Sequence, residues 1–81
     1  ANHSLKGKRR VLKPLMARVR RRFNVSIAEI DRQDAWQSAT LGVACISTDA
    51  AYVHGLLTKV VHAISDYRLD AEVRDFEIEI L

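Results

Sequence analysis

Hydrophobic residues near the start of the chain recur at intervals of three and four. This spacing places them on one face of an amphipathic helix that we predict from about Leu5 to Arg22, with Ser4 as its N-cap. Pro14 lies opposite that face, where water can bond to the freed carbonyl of Arg10, so we expect a bend and not a break. The apolar face comprises Leu5, Leu12, Leu15, Met16, Val19 and Phe23.

Two short segments after the first helix have the composition of strands. Val25–Ile30 and Ser38–Ile46 are rich in β-branched and small residues, and a polar loop separates them. We predict that they form an antiparallel hairpin.

A second helix follows the hairpin. Ser47, Thr48 and Asp49 are suitable caps for its start, and we expect its end near Tyr67. Its predicted buried face comprises Val53, Leu56, Leu57, Val60, Val61 and Ile64.

The last ten residues alternate strictly between apolar and acidic side chains. Alternation with a period of two predicts a third strand from Glu72 to Leu81. Its core side would carry Phe76, Ile78 and Ile80, and its outer side Asp75, Glu77 and Glu79.

The predicted order of elements, αββαβ, is that of a ferredoxin-like βαββαβ fold with its first strand absent. We therefore predict one α+β domain over residues 1–81, with an antiparallel sheet and both helices on one face. In that topology the first strand is central and pairs with the last. We expect residues before Ala1, or another chain, to supply the missing neighbour.

Charge is divided unevenly along the chain, whose formal net charge is +3. The segment from Ala1 to Phe23 holds nine Lys or Arg residues and no carboxylate, whereas the remainder holds four basic and ten acidic residues. The candidate nucleic-acid-binding residues of the first helix are Lys6, Arg9, Arg10, Lys13, Arg18, Arg20, Arg21 and Arg22.

Three interpretations of this basic helix stay open. It could bind a polyanion, it could be a solvated face that complements the helix dipole, or it could bind an acidic protein. The first is favoured because an ordinary solvated helix interleaves Glu for (i, i+4) pairs, and this one has none. If RNA binds, we expect it along this helix, read by charge and shape, because Asp75, Glu77 and Glu79 would repel phosphate from the open sheet face.

Catalytic chemistry is not indicated. The single cysteine, Cys45, has no activating base nearby in sequence, and the histidines lack the spacing of metal ligands. We expect a non-enzymatic, cytoplasmic protein that has no metal, cofactor or small-molecule substrate and does not enter a membrane. Trp36, in the polar loop of the hairpin, is either a partner-docking residue or a side chain folded over the core or into a homodimer contact.

Four separated segments carry a family resemblance. Ser4–Arg10, Arg22–Glu29, Gln33–Gln37 and Leu41–Val43 together resemble the YlxP-like family of bacterial proteins of unknown function. The resemblance implies a ferredoxin-like fold with an N-terminal strand, and a ribosomal or RNA-related setting, since members are often encoded among translation and ribosome-maturation genes. It implies no catalytic residues.

Taken together, the charge and the resemblance predict a domain that binds RNA or a ribosomal surface through its first helix. The alternative is a structural or regulatory module that self-associates as a homo-oligomer through its sheet edges.

Overall fold

The computed structural model of the chain describes residues 4–67 and 73–81. Four elements follow one another, namely α1 (Leu5–Arg22), β1 (Ser26–Asp31), β2 (Thr40–Ala44) and α2 (Ala50–Tyr67). This α+β arrangement is consistent with a fragment of a ferredoxin-like fold. The predicted fold class is therefore confirmed.

Helix α1 has the bounds that the sequence predicts. The Ser4 side chain accepts a hydrogen bond from the backbone N–H of Gly7 at 3.0 Å, which satisfies one of the free donors of the first turn. The helix continues through Pro14, which is exposed. The proline does not break the helix, because its side of the helix faces water and not the core.

Strands β1 and β2 form the predicted antiparallel hairpin. Ser26 pairs with Ala44 and Ile27 with Val43, and the register shifts between Glu29 and Asp31. Both ends of β2 lie inside the predicted Ser38–Ile46 segment, so the strand is shorter than expected.

Helix α2 ends at Tyr67, as predicted. The backbone N–H of Tyr52 donates to Oδ1 of Asp49 at 3.2 Å, so Asp49 is the residue that caps its start. Within the described part of the chain, neither helix is both long enough and apolar enough to cross a membrane.

The core lies where the two helices meet the hairpin. Val19 of α1, Ile27 of β1 and Val60 of α2 are buried together. The partly buried side chains packed around them are Met16, Phe23, Val25, Leu41, Val43 and Ile64. The members from α1 and α2, with Phe23, belong to the apolar faces that the sequence predicts.

The prediction of a third strand is wrong for the described residues 73–81. Residues 73–81 form no strand, and Phe76 and Ile80 are 54% and 47% exposed, so these two side chains do not face the core. Ile78 is half-buried, and Glu72 lies outside the described residues. The described sheet contains only β1 and β2, and an alternating segment becomes a strand only when a neighbouring strand takes its backbone hydrogen bonds.

Candidate nucleic-acid interface

Helix α1 presents a continuous set of exposed cations, which we call the basic ridge. The ridge consists of Lys6, Arg9, Arg10, Lys13, Arg18, Arg20, Arg21 and Arg22, and all eight residues are exposed. At 1.5 Å per residue, it extends for about 24 Å along the helix axis. The structure thus brings all the predicted residues together on one element.

The ridge is not neutralised by the rest of the described chain. Among residues 4–67 and 73–81, no ridge cation forms an ion pair with a carboxylate. Arg20, Arg21 and Arg22 occupy the last turn of α1, where the negative end of the helix dipole favours positive charge. That dipole accounts for only one end of the ridge, since Lys6, Arg9 and Arg10 lie in the first two turns.

Lys8 differs from every other cation of α1 because it is only 7% exposed. Its ammonium donates hydrogen bonds to the carbonyls of Arg32 and Ala35, each at 2.7 Å, and lies 2.5 Å from Oε2 of Glu29.

The burial of Lys8 has a signal in the sequence. Lys8 lies three residues after Leu5 and four before Leu12, which is the spacing of the apolar face. A lysine at such a position must find acceptors where it is buried. Its partners in β1 and the following loop lie 21 or more residues away in sequence, so local spacing could not identify them.

Arg20 is exposed but also anchored. Its Nη2 donates a hydrogen bond of 2.8 Å to the carbonyl of Ile27, and this contact ties the end of α1 to β1. Arg20 therefore has a structural role in addition to any part in binding. The sequence did not predict this structural role.

Two further ridge arginines lie over aromatic rings. The guanidinium carbon of Arg18 is 5.0 Å from the centre of the Tyr67 ring, and that of Arg22 is 5.2 Å from the Phe23 ring. Both distances are within the range of cation–π contacts. These four residues line a shallow cleft between the last turns of α1 and α2, together with Leu15, Val19, Ala63 and Ile64.

Trp36 lies in the loop between β1 and β2 and is 38% exposed. It interacts with another residue of the chain. A role for Trp36 in docking a partner stays a prediction.

The other reactive side chains do not converge. Among the described residues, no three His, Cys, Asp or Glu side chains come close enough to hold a metal ion. His54 and His62 are exposed on α2. Cys45 is a half-buried free thiol that follows the end of β2, and therefore lies outside the strand to which the sequence assigned it.

Comparison with known proteins places the chain among proteins without an assigned activity. A family model described as "Protein of unknown function (DUF503)" matches residues 1–78. The chain is 42% identical over 64 residues to the uncharacterized protein YlxP of Bacillus subtilis strain 168, an overlap of 79% of this chain and 70% of that protein. No solved structure matches it. The resemblance identified from the four segments is confirmed.

Proposed function

This chain belongs to the DUF503 family of proteins of unknown function, and from that premise we propose that it binds RNA through the basic ridge of α1. The proposed activity is binding without catalysis. The observation that carries the proposal is the state of the eight ridge cations, which are all exposed and, within the described residues, paired with no carboxylate.

The chemistry of the ridge suits a phosphate backbone. Each phosphate that a Lys or Arg neutralises releases condensed counterions, and this release favours binding at low salt. Planar guanidinium groups can donate two parallel hydrogen bonds to one phosphate, and six of the ridge residues are arginines. The ridge lies on one 18-residue helix, so the backbone positions that carry its charges are fixed relative to each other.

Anchoring of α1 also supports the proposal. The Lys8 contacts attach its first half to the β1–β2 loop, and the Arg20 contact attaches its last turn to β1. A helix that is held at both ends does not need to order its backbone during binding, and this lowers the entropic cost of association. RNA is favoured over DNA because the family resemblance implies a ribosomal or RNA-related setting.

A solvated helix face is the competing explanation, and salt dependence of binding separates the two. We would titrate a fluorescently labelled RNA hairpin with the protein and follow anisotropy over salt concentrations from about 50 to 200 mM. If the ridge neutralises four to five phosphates, the logarithm of affinity should fall against the logarithm of salt with a slope of about −3 to −4.

Charge reversal locates the binding surface. Arg10→Glu and Arg21→Glu should each weaken binding and make the slope shallower by about 1 or more. The matched control is Lys59→Glu, which makes the same change of charge at an exposed position of α2 and should leave affinity nearly unchanged. Absence of RNA binding at the lowest salt, or equal losses for Lys59→Glu and the ridge variants, would overturn the proposal. Tighter binding to DNA of the same length would mean that DNA, and not RNA, is the ligand of the ridge.

Self-association is a second candidate function, favoured by exposed apolar side chains. Ile46, Phe76 and Ile80 are 97%, 54% and 47% exposed, and the described sheet has two strands with open edges. Two-stranded sheets are marginal by themselves and open edges invite pairing with another chain. Sedimentation velocity at two well-separated concentrations tests this candidate. A concentration-dependent shift that Phe76→Asp reduces would support it, and a constant monomer mass would exclude it.

A further inference from the structure

Both arginine–aromatic contacts of the ridge lie at one end of the molecule. Arg18 and Arg22 are one helical turn apart on α1, and they lie over Tyr67, the last residue of α2, and Phe23, the first residue after α1. Both arginines are exposed, whereas both rings are half-buried. Each ring therefore lies within cation–π distance of an arginine that is exposed to solvent.

An arginine beside an aromatic ring can bind a nucleotide in two ways, by stacking on the base and by hydrogen bonding to the phosphate. A guanidinium group beside an aromatic ring can receive a nucleobase on its solvent-exposed face, by stacking similar to that of an aromatic side chain. Its N–H groups can donate to phosphate. The cleft beneath the two arginines is too small for a base, so a base would stack on the exposed faces of Arg18 and Arg22 and would not enter the cleft.

The remainder of the ridge lacks this combination. Within the described residues, Lys6, Arg9, Arg10 and Lys13 contact no aromatic ring. That half of the ridge offers charge alone and suits the phosphates of any strand. The end near Tyr67 offers charge together with stacking surfaces, which suits an unpaired base.

We propose that the exposed faces of Arg18 and Arg22, beside the last turns of α1 and α2, form a base-stacking site, and that the preferred ligand of the ridge is therefore single-stranded RNA. This inference rests on the proposed function and specifies its ligand. Bases in a duplex are enclosed by their neighbours, whereas unpaired bases of single strands and loops can turn outward to stack on Arg18 and Arg22.

The experiment keeps the charge of the ridge constant and removes its stacking surfaces. The double variant Arg18→Lys with Arg22→Lys replaces planar groups over rings by compact ammonium groups. The matched control is Arg10→Lys with Arg21→Lys, the same chemical change at ridge positions without a ring contact, and it measures the effect of losing paired hydrogen bonds to phosphate. The probes are a single-stranded RNA of about 12 nucleotides with a central 2-aminopurine, and a fully paired RNA duplex of about the same length, which has no loop bases.

The unmodified chain should bind the single strand more tightly than the duplex, and binding should quench the 2-aminopurine. The Arg18 and Arg22 double variant should lose about five- to tenfold in affinity for the single strand and less than about twofold for the duplex. It should also lose the quenching. The control variant should change each affinity by less than about twofold, because its charge is unchanged.

A second pair of variants guards against a general loss of structure, since the Arg18–Tyr67 contact also joins the two helices. Tyr67→Phe keeps the ring and should retain binding and quenching, whereas Tyr67→Leu should reduce both. Equal affinities for the two probes together with unquenched 2-aminopurine would overturn the stacking site and leave binding by charge intact. Absence of binding to both probes at low salt would overturn the proposed function as well.

Discussion

The side-chain ammonium of Lys8 lies 2.5 Å from Oε2 of Glu29, and this ion pair joins α1 to β1. Lys8 is the one cation of α1 that is buried, and its two further hydrogen bonds attach the helix to the loop after β1. Only four hydrophobic side chains of the described chain are buried, so this polar cluster is a large part of what fixes the orientation of α1. It therefore also fixes the direction in which the basic ridge faces.

Loss of the Lys8 ammonium should destabilise the fold strongly. Lys8→Met leaves the Glu29 carboxylate unpaired and two carbonyls without a donor, at a cost of about 2–4 kcal/mol in the free energy of unfolding. Urea denaturation followed by circular dichroism measures the change. The control is Lys6→Met, a solvent-exposed position two residues earlier, which should change stability by less than about 0.5 kcal/mol.

A double variant tests whether the cost comes from the unpaired carboxylate. Adding Glu29→Gln to Lys8→Met removes the isolated negative charge and should recover part of the lost stability. If Lys8→Met alone proved as stable as the unmodified chain, the Lys8 cluster would not be the anchor of α1.

Elements that local sequence determines were predictable, and contacts between distant segments were not. The bounds of α1 follow from the Ser4 cap and a regular apolar face, both of which act within a few residues. The segment containing Phe76 has a clear strand pattern, but a strand also needs a neighbour, and the described sheet provides none. Local pattern specifies which face of a segment is apolar, and the rest of the fold decides whether that face is buried.

In the candidate site, too, local features were predictable from the sequence and contacts between elements were not. Exposure of the eight ridge residues followed from their spacing relative to the apolar face. The Arg18 contact with Tyr67 joins residues that lie in different helices, and the Arg20 contact reaches a strand. Such pairings depend on how the elements pack, which helical spacing does not contain.

Substitution of Arg20 should destabilise the protein more than substitution of Arg21, although both residues carry the same charge. Arg20→Met removes the hydrogen bond to the Ile27 carbonyl and should lower the free energy of unfolding by about 1 kcal/mol. Arg21→Met removes the same charge from a position without such a bond and should change it by less than about 0.5 kcal/mol. Urea denaturation of both variants makes the comparison. Equal stabilities would mean that the Arg20 contact does not hold α1 to β1 in solution.

Replacement of Pro14 should stabilise α1. In Pro14→Ala the new backbone N–H can donate to the carbonyl of Arg10, and alanine is the best helix former, so the free energy of unfolding should rise by about 1–3 kcal/mol. Thermal unfolding and helical ellipticity at 222 nm both report the effect. The neighbouring exposed substitution Lys13→Ala is the control and should have a small effect. A loss of stability in Pro14→Ala would show that packing of α1 requires the geometry that the proline imposes.

Gly55 of α2 and Gly42 of β2 should respond differently to alanine. Gly55 is exposed inside α2, and a Cβ built there meets no atom within 4 Å, so Gly55→Ala should stabilise the protein by about 0.5–1 kcal/mol through helix propensity. A Cβ at Gly42 in β2 would lie 3.0 Å from Cγ2 of Ile30. Gly42→Ala should therefore gain nothing or lose stability, because the β-branched Ile30 must turn away to make room. Urea denaturation of the two variants compares them directly, because each adds the same methyl group. If Gly42→Ala raised the free energy of unfolding as much as Gly55→Ala, Ile30 would not pack on this strand in solution.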